Sequence, residues 1–381
     1  LEEKPIAAIL NSVANTIINS DDVRDNLKMA GLDGSWSGLD GSGITVTVGD
    51  TGLDSGTNDA TMHPDFSDHI LGIYSWPIPF NRCSWNSPSD PGPCDDGAED
   101  DHGHGTHVAG SVLGDGTASG GSVMGIAPEA QLLVHAFQQS GGLGGIPDDL
   151  QDMFDVAVEN GSTIHTNSWG SCDRPSQSAP CNNFGRYTAA SMQIDMGAIT
   201  HKQLVIMFAN GNDGDDYDGN GEIDEASLLW EASAKNAISI GASENYRPSR
   251  GGSADNAEGM ADFSGRGPTD DGRTKPDFVA PGTHIYSTKS RYSGPAASSC
   301  GWGSDSAVTD YCYMGGTSMA TPIAAGATAL LLEHLIENVG LTDPTSYLVK
   351  AILGASTSDM AGQYGSPTNG AGEAIPNMHE G

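Results

Sequence analysis

Apolar positions along the chain come in short unbroken runs, separated by stretches rich in glycine, serine and aspartate. Ile44-Thr45-Val46-Thr47-Val48 is β-branched throughout and reads as a buried strand ending at Gly49-Asp50-Thr51-Gly52. Leu132-Leu133-Val134, after the turn Gly125-Ile126-Ala127-Pro128, reads the same way, as do Thr163 to Ser168, Leu204 to Ala209 and Ala237 to Gly241. Between them, Asp148 to Val158 carries apolar residues at helical spacing, and Val108-Ala109 begin another helix. Ile6, Ile9, Leu10 and Val13 predict an N-terminal extension of one or two short helices within residues 1–30. Ile323 to Ile336 is apolar on all faces until Glu333, which predicts a helix buried at the centre rather than laid on the surface. Arg250 to Pro281 reads mostly as loop. Apolar strands alternating with helices predict an α/β fold, a mainly parallel central sheet flanked by helices in one domain spanning 1–381.

Charge narrows the partners. With 50 acidic against 16 basic residues the formal net charge is −34, which repels nucleic acid and anionic membrane surfaces and suits solubility in salt or cation binding. Neither nucleic acid nor membrane is expected, and no apolar run reaches the roughly 18 residues of a membrane span. The six cysteines fall in close couples, Cys83 with Cys94, Cys172 with Cys181 and Cys300 with Cys312, each bracketing a polar stretch. Closure within each short loop costs the least, and the pattern points to disulfides in an oxidising compartment; zinc would want tighter CxxC pairs. No signal peptide opens the chain, so a mature, processed, secreted and extracellular form is expected.

Three stretches carry candidate chemistry. In Gly315-Gly316-Thr317-Ser318-Met319-Ala320-Thr321-Pro322, Thr317 can cap and Pro322 suits a first helical turn, which sets Ser318 at a helix N-terminus. Backbone N–H groups and the helix dipole there favour negative charge developing beside its hydroxyl. Asp50 stands at a strand's carboxyl end, the edge where ligands gather in open α/β sheets, although D-T-G also suits a plain Asx turn. Asp101-His102-Gly103-His104-Gly105-Thr106-His107 holds three histidines. One account is a general base opening a helix; the other is a metal-dependent hydrolase on His102, His104 and His107, with Thr106 where the zinc-binding H-x-H-x-D-H run takes Asp.

D-T-G at Asp50, H-G-T-H-V-A-G at His104, a strand-terminal G-N at Asn212 and G-T-S-M-A-T-P at Ser318, in that order, resemble the subtilisin-like serine proteases over most of residues 40–340. Ala232-Ser233-Ala234-Lys235-Asn236-Ala237 and Phe263-Ser264-Gly265-Arg266-Gly267-Pro268 agree. Glu244-Asn245-Tyr246-Arg247-Pro248-Ser249 looks closest to large alkaline subtilases that carry a C-terminal β-domain, absent here, so residues 341–381 are expected to be a C-terminal segment trimmed before a further domain. The resemblance implies a single catalytic domain and a serine endopeptidase. Ser318 would be the nucleophile, His104 the base, Asp50 its orienting group and Asn212 an oxyanion donor beside the Ser318 N–H. It further implies that Ser168-Trp169-Gly170 and Ala209-Asn210-Gly211 wall a substrate pocket preferring large apolar side chains, that the substrates are proteins or peptides, and that a monomer matures from a pro-segment. The rivals are the metal hydrolase, a relative with an acidic base, and a non-catalytic binding relative.

One run stands apart from that chemistry. Asp216, Asp218, Asn220, Glu222 and Asp224 alternate as in an EF-hand loop, with Gly221 at the sharp turn and Ile223 as anchor. They predict a structural calcium ion. Ser227 replaces the closing glutamate, so Glu225 or solvent would complete the shell.

Overall fold

The β-branched run around Val46 forms β1 (Thr45–Asp50), the middle of a sheet completed by β2 (Ile70–Ser75), β3 (Gln131–Ala136), β4 (Ile164–Asn167), β5 (Val205–Ala209), β6 (Ile238–Ser243) and β7 (Phe278–Pro281). This is a computed structural model describing residues 12–18, 20, 38–78, 86–87, 90–91, 97–139, 142–173, 181–216, 219, 223–292, 300–303 and 309–360. The seven strands lie in the order β2-β3-β1-β4-β5-β6-β7, and every neighbouring pair is parallel. The helices are α1 (Ser12–Ile17), α2 (His104–Leu113), α3 (Gln151–Glu159), α4 (Ala189–Thr200), α5 (Thr317–Glu333) and α6 (Ser346–Ser356). An antiparallel pair, β8 (Ile285–Thr288) and β9 (Tyr311–Met314), packs beside α2. The single α/β domain with a parallel sheet is the expected one.

A parallel sheet covered on both faces buries successive side chains alternately into two cores, which is why its strands read as continuous apolar runs. Val46 and Val48 of β1 join Leu132, Val134, Ile164 and Val205 in the larger core, against α2 and α5. Ile206 and Phe208 face the other way and meet Phe137, Phe154 and Trp169. α5 is buried as its all-round apolarity predicts. With the π-helical turn that follows it, Thr317–Asn338 spans 22 residues and holds an 18-residue window of mean hydropathy 1.4, the length and composition to cross a membrane, contrary to the expectation that no run is that long; 72% of that window is buried inside the fold, as in a core helix.

Several expectations shift. α2 begins at His104, not at Val108, and Phe278–Pro281 is a strand within a stretch expected to be loop. α4 has no readable period, because Ile194 and Ala198 are buried while Met192, Met196 and Ile199 are exposed on the other side. α5 starts at Thr317, so Pro322 lies inside the helix rather than in its first turn. Cys172–Cys181 and Cys300–Cys312 are disulfide-bonded with Cα atoms 5.6 Å apart in each. Cys83 and Cys94 lie outside the described residues, as do most of 1–30 and residues 361–381.

Candidate active site

β1, β4 and β5 are adjacent in the sheet, and their carboxyl ends bring Asp50, Ser168 and Asn212 to one edge. Asp50 is 3% exposed. Its Oδ1 accepts from the Thr51 N–H at 2.8 Å and from His104 Nδ1 at 2.7 Å. A carboxylate only accepts, so the hydrogen sits on Nδ1 and leaves Nε2 as the basic nitrogen. His104 is the first residue of α2, and its N-cap Gly103 has φ 85°, a left-handed conformation that costs glycine little. Burial pushes the His104 imidazole down, but the charge and hydrogen bond of Asp50, together with the charge of Asp100, outweigh it and hold the ring above its usual pKa.

Ser318 arrives from the opposite side. β9 runs into Gly315-Gly316, and Gly316, with φ 146°, turns the chain into α5. Thr317 does not cap the helix, because the N-cap is Gly316, which has no side chain; the Thr317 N–H and hydroxyl instead donate to Asn212 Oδ1 at 2.8 Å and 3.1 Å. That holds the amide oxygen against the start of α5 and leaves Nδ2 as the donor. The Ser318 hydroxyl donates to the Ser168 carbonyl at 3.1 Å, and the Ser168 hydroxyl donates to the Ser318 carbonyl at 2.8 Å.

These groups share one cavity of about 390 Å³, lined by Asp50, His102, His104, Asn212 and Ser318 and walled by Ser168, Trp169, Gly170, Ala209 and Gly211. Asn210, expected in that wall, is absent from it: fully buried, it donates to the Gly265 carbonyl at 2.6 Å and ties the strand end to the next loop. Leu229 stands between the two glycine walls. A Cβ on Gly170 would fall 2.8 Å from Leu229 Cδ1, and one on Gly211 would fall 2.8 Å from Leu229 Cγ. Gly211, at φ 113°, is held to glycine by its backbone as well, whereas a side chain at Gly170 would require Leu229 to shift.

The three-histidine metal reading fails. His107 is fully buried, with Nε2 facing the carbonyls of Ile285 at 3.1 Å and Cys312 at 3.2 Å. Among the described residues no group of three or more His, Cys, Asp or Glu could hold a metal ion. Of the expected calcium ligands, Asp218, Asn220 and Glu222 lie outside the described residues. Asp216 Oδ1 accepts from the Gly219 N–H at 2.7 Å, and the Asp224 N–H donates to the Asp215 carbonyl at 2.9 Å.

Thr51, Asp100 and Leu229 were not singled out from the sequence, and Thr317 was read only as a cap, not as the partner of Asn212. Thr51 and Thr317 carry a signal in being next to Asp50 and Ser318; Asp100 and Leu229 meet the site only through the fold.

The comparisons with known proteins agree with this geometry. The profile described as the Subtilase family matches residues 41–374. The chain is 31% identical to the serine protease AprX of Bacillus subtilis (strain 168), over 78% of this chain and 58% of that protein. It is 29% identical to subtilisin BL of Lederbergia lenta, over 78% of each. It is also 28% identical to the serine protease/ABC transporter B family protein tagB of Dictyostelium discoideum, over 86% of this chain but spanning only 20% of that protein's length. Sphericase shares the fold, with TM-score 0.57 and 24% identity, over 97% of this chain and 95% of that one.

Proposed function

Given that this chain belongs to the subtilase family of serine proteases, we propose that it is a secreted endopeptidase that cuts peptide bonds through an acyl-enzyme on Ser318. Ser318 Oγ attacks the scissile carbonyl, while His104 Nε2 takes its proton and passes it to the departing amine. Asp50 keeps the imidazole in the right tautomer and stabilises its cation. The developing oxyanion is met by Asn212 Nδ2 and the Ser318 N–H, fixed donors that need no reorganisation as charge builds. Water then repeats the sequence on the ester. The observation that carries this reading is the 2.7 Å bond from His104 Nδ1 to Asp50 Oδ1 in the same cavity as the Ser318 hydroxyl. Before attack that hydroxyl turns from the Ser168 carbonyl to His104.

The backbone at Ser168-Trp169-Gly170 would pair with an extended peptide. An apolar P1 side chain fits between the glycine walls, and Leu229 sets how large it can be. A monomer that matures from a pro-segment, with peptide or protein substrates, fits the family. A calcium ion held by Asp216, Asp218, Asn220, Asp224 and the Glu222 carbonyl would order the loop that follows Asn212.

Mass spectrometry after treatment with a serine-directed fluorophosphonate tests the reading. Modification of Ser318 with loss of peptide hydrolysis is expected, and Ser318→Ala should lose on the order of a millionfold in kcat, as for the triad serine of subtilisin. Undiminished hydrolysis after treatment would refute it.

A further inference from the structure

Asp100 lies outside the cavity, fully buried on the loop that leads into α2. Its carboxylate accepts four hydrogen bonds. Oδ1 takes the Thr51 hydroxyl and the Gly103 N–H, both at 2.8 Å. Oδ2 takes the Thr106 N–H at 2.7 Å and the Thr106 hydroxyl at 2.6 Å. Gly103 and Thr106 bracket His104, and the first N–H groups of a helix have no partner within it. The Gly105 N–H donates at 2.7 Å to the Thr51 hydroxyl that Asp100 itself holds.

Thr51 has a single hydroxyl hydrogen and two carboxylates within reach, Asp100 Oδ1 at 2.8 Å and Asp50 Oδ1 at 3.2 Å. The shorter bond takes it. Asp50 Oδ1 is then left to the Thr51 N–H and to His104 Nδ1. Burial pushes the Asp100 carboxyl up, and its four donors oppose that. Each oxygen already receives two hydrogens, so a proton on either would displace one, and the group is an anion.

We propose that Asp100 is a positioning residue for His104: it anchors the first turn of α2 and the Thr51 hydroxyl, fixes the angle at which the imidazole meets Asp50 and Ser318, and places a second negative charge near the ring. This rests on the reading of His104 as general base. The charged and titratable groups around the ring are Asp50 from β1, Asp100 and His102 from the preceding loop, with the His102 ring centroid 6.0 Å away, and His107 from α2 itself; Asp213 lines the same cavity. The two carboxylates favour the imidazolium.

The test is the pH dependence of kcat and KM for Asp100→Asn and Thr51→Val in the full chain, beside fluorophosphonate labelling of the wild type. Asp100→Asn should move the acid limb of kcat/KM to lower pH, because a charge favouring the imidazolium is gone. Its plateau kcat should fall roughly tenfold, because an amide cannot accept on both sides. Thr51→Val keeps the charge of Asp100 but removes the hydroxyl that joins its Oδ1 to the Gly105 N–H; it should lose kcat by roughly tenfold with KM changed by less than about twofold and the limb unmoved. A plateau loss in Asp100→Asn without a limb shift is the mark of a merely structural carboxylate and overturns the proposal. Should Asp100→Asn not fold, Thr51→Val decides, and wild-type kcat there overturns it. A wild type labelled at Ser318 with both variants unchanged refutes Asp100 alone, whereas an unlabelled wild type refutes it together with the reading of His104.

Discussion

Ser318 and Ser168 are bonded to each other twice, hydroxyl to carbonyl in both directions, at 3.1 Å and 2.8 Å. The second bond has a cause inside α5. The Ser318 carbonyl would ordinarily accept the N–H four residues on, but that residue is Pro322, which has none. Ser168 supplies the missing donor from the end of β4, and so couples the Ser318 backbone to the strand that walls the cavity.

Removing that donor strands a buried carbonyl. Ser168→Ala is expected to cost about 1–3 kcal/mol of stability and to slow fluorophosphonate labelling of Ser318. Urea unfolding in a Ser318→Ala background, which prevents self-digestion, measures the first effect, and labelling rates in the active chain measure the second. A variant as stable and as quickly labelled as its parent would leave the bond without consequence.

The raised His104 pKa places the acid limb of activity above the free-imidazole value of about 6.5. His104 accepts a proton only when neutral, so kcat/KM should rise with pH through that limb and then level off. Rates on a peptide substrate across acid to mildly alkaline buffers check this. A maximum near about pH 4 would instead support the acidic-base reading.

Acid should unfold the protein through its buried histidines. Burial holds His107 and His135 down at about 3 and His165 well below its ordinary value, with His135 Nδ1 3.4 Å from His165 Nε2. In the unfolded chain each takes a proton near pH 6.5 (about the free-imidazole value), so between about 6.5 and 3 the unfolded state binds more protons and stability falls as pH drops. Melting temperature should decline steeply across that window. His135→Gln keeps a polar partner for His165 without titrating and should decline less; an identical slope would remove His135 from the account.

Chelation is expected to lower the melting temperature and speed self-cleavage without taking away a catalytic group, since a metal bound only to the folded chain stabilises it by mass action. Asp216→Ala combined with Asp218→Ala should abolish the response to chelator. If that double variant kept both the wild-type calcium stoichiometry and the wild-type shift, the loop would be an ordinary surface turn.

Leu229 predicts a size limit at P1. Leu229→Ala should open the space between Gly170 and Gly211 and raise kcat/KM for a P1 aromatic, relative to a small apolar P1, by roughly tenfold. Competition between two such peptides in one reaction reads the ratio directly. An unchanged ratio would mean that the P1 side chain lies elsewhere.

The candidate site residues were legible because the motifs that hold them are local. D-T-G, H-G-T-H-V-A-G, the strand-terminal G-N and G-T-S-M-A-T-P each lie in a few consecutive residues, and their order resembles one family, so that resemblance named Asp50, His104, Asn212 and Ser318 before the chain was folded. Strands buried on both faces were equally plain, since both faces demand apolar residues over a continuous run. β2 was missed because it sits at the sheet edge with Leu71 and Tyr74 exposed, and α4 because exposed methionines blur its period. What the sequence could not determine is which distant groups press on the motif residues. Asp100 reaches α2 through hydrogen bonds, Leu229 comes between two glycines from separate strand ends, and Asn210 turns away from the wall where its neighbours stand. Those outcomes depend on distances of a few ångströms between segments far apart in the chain, and only the packing of the two cores sets them.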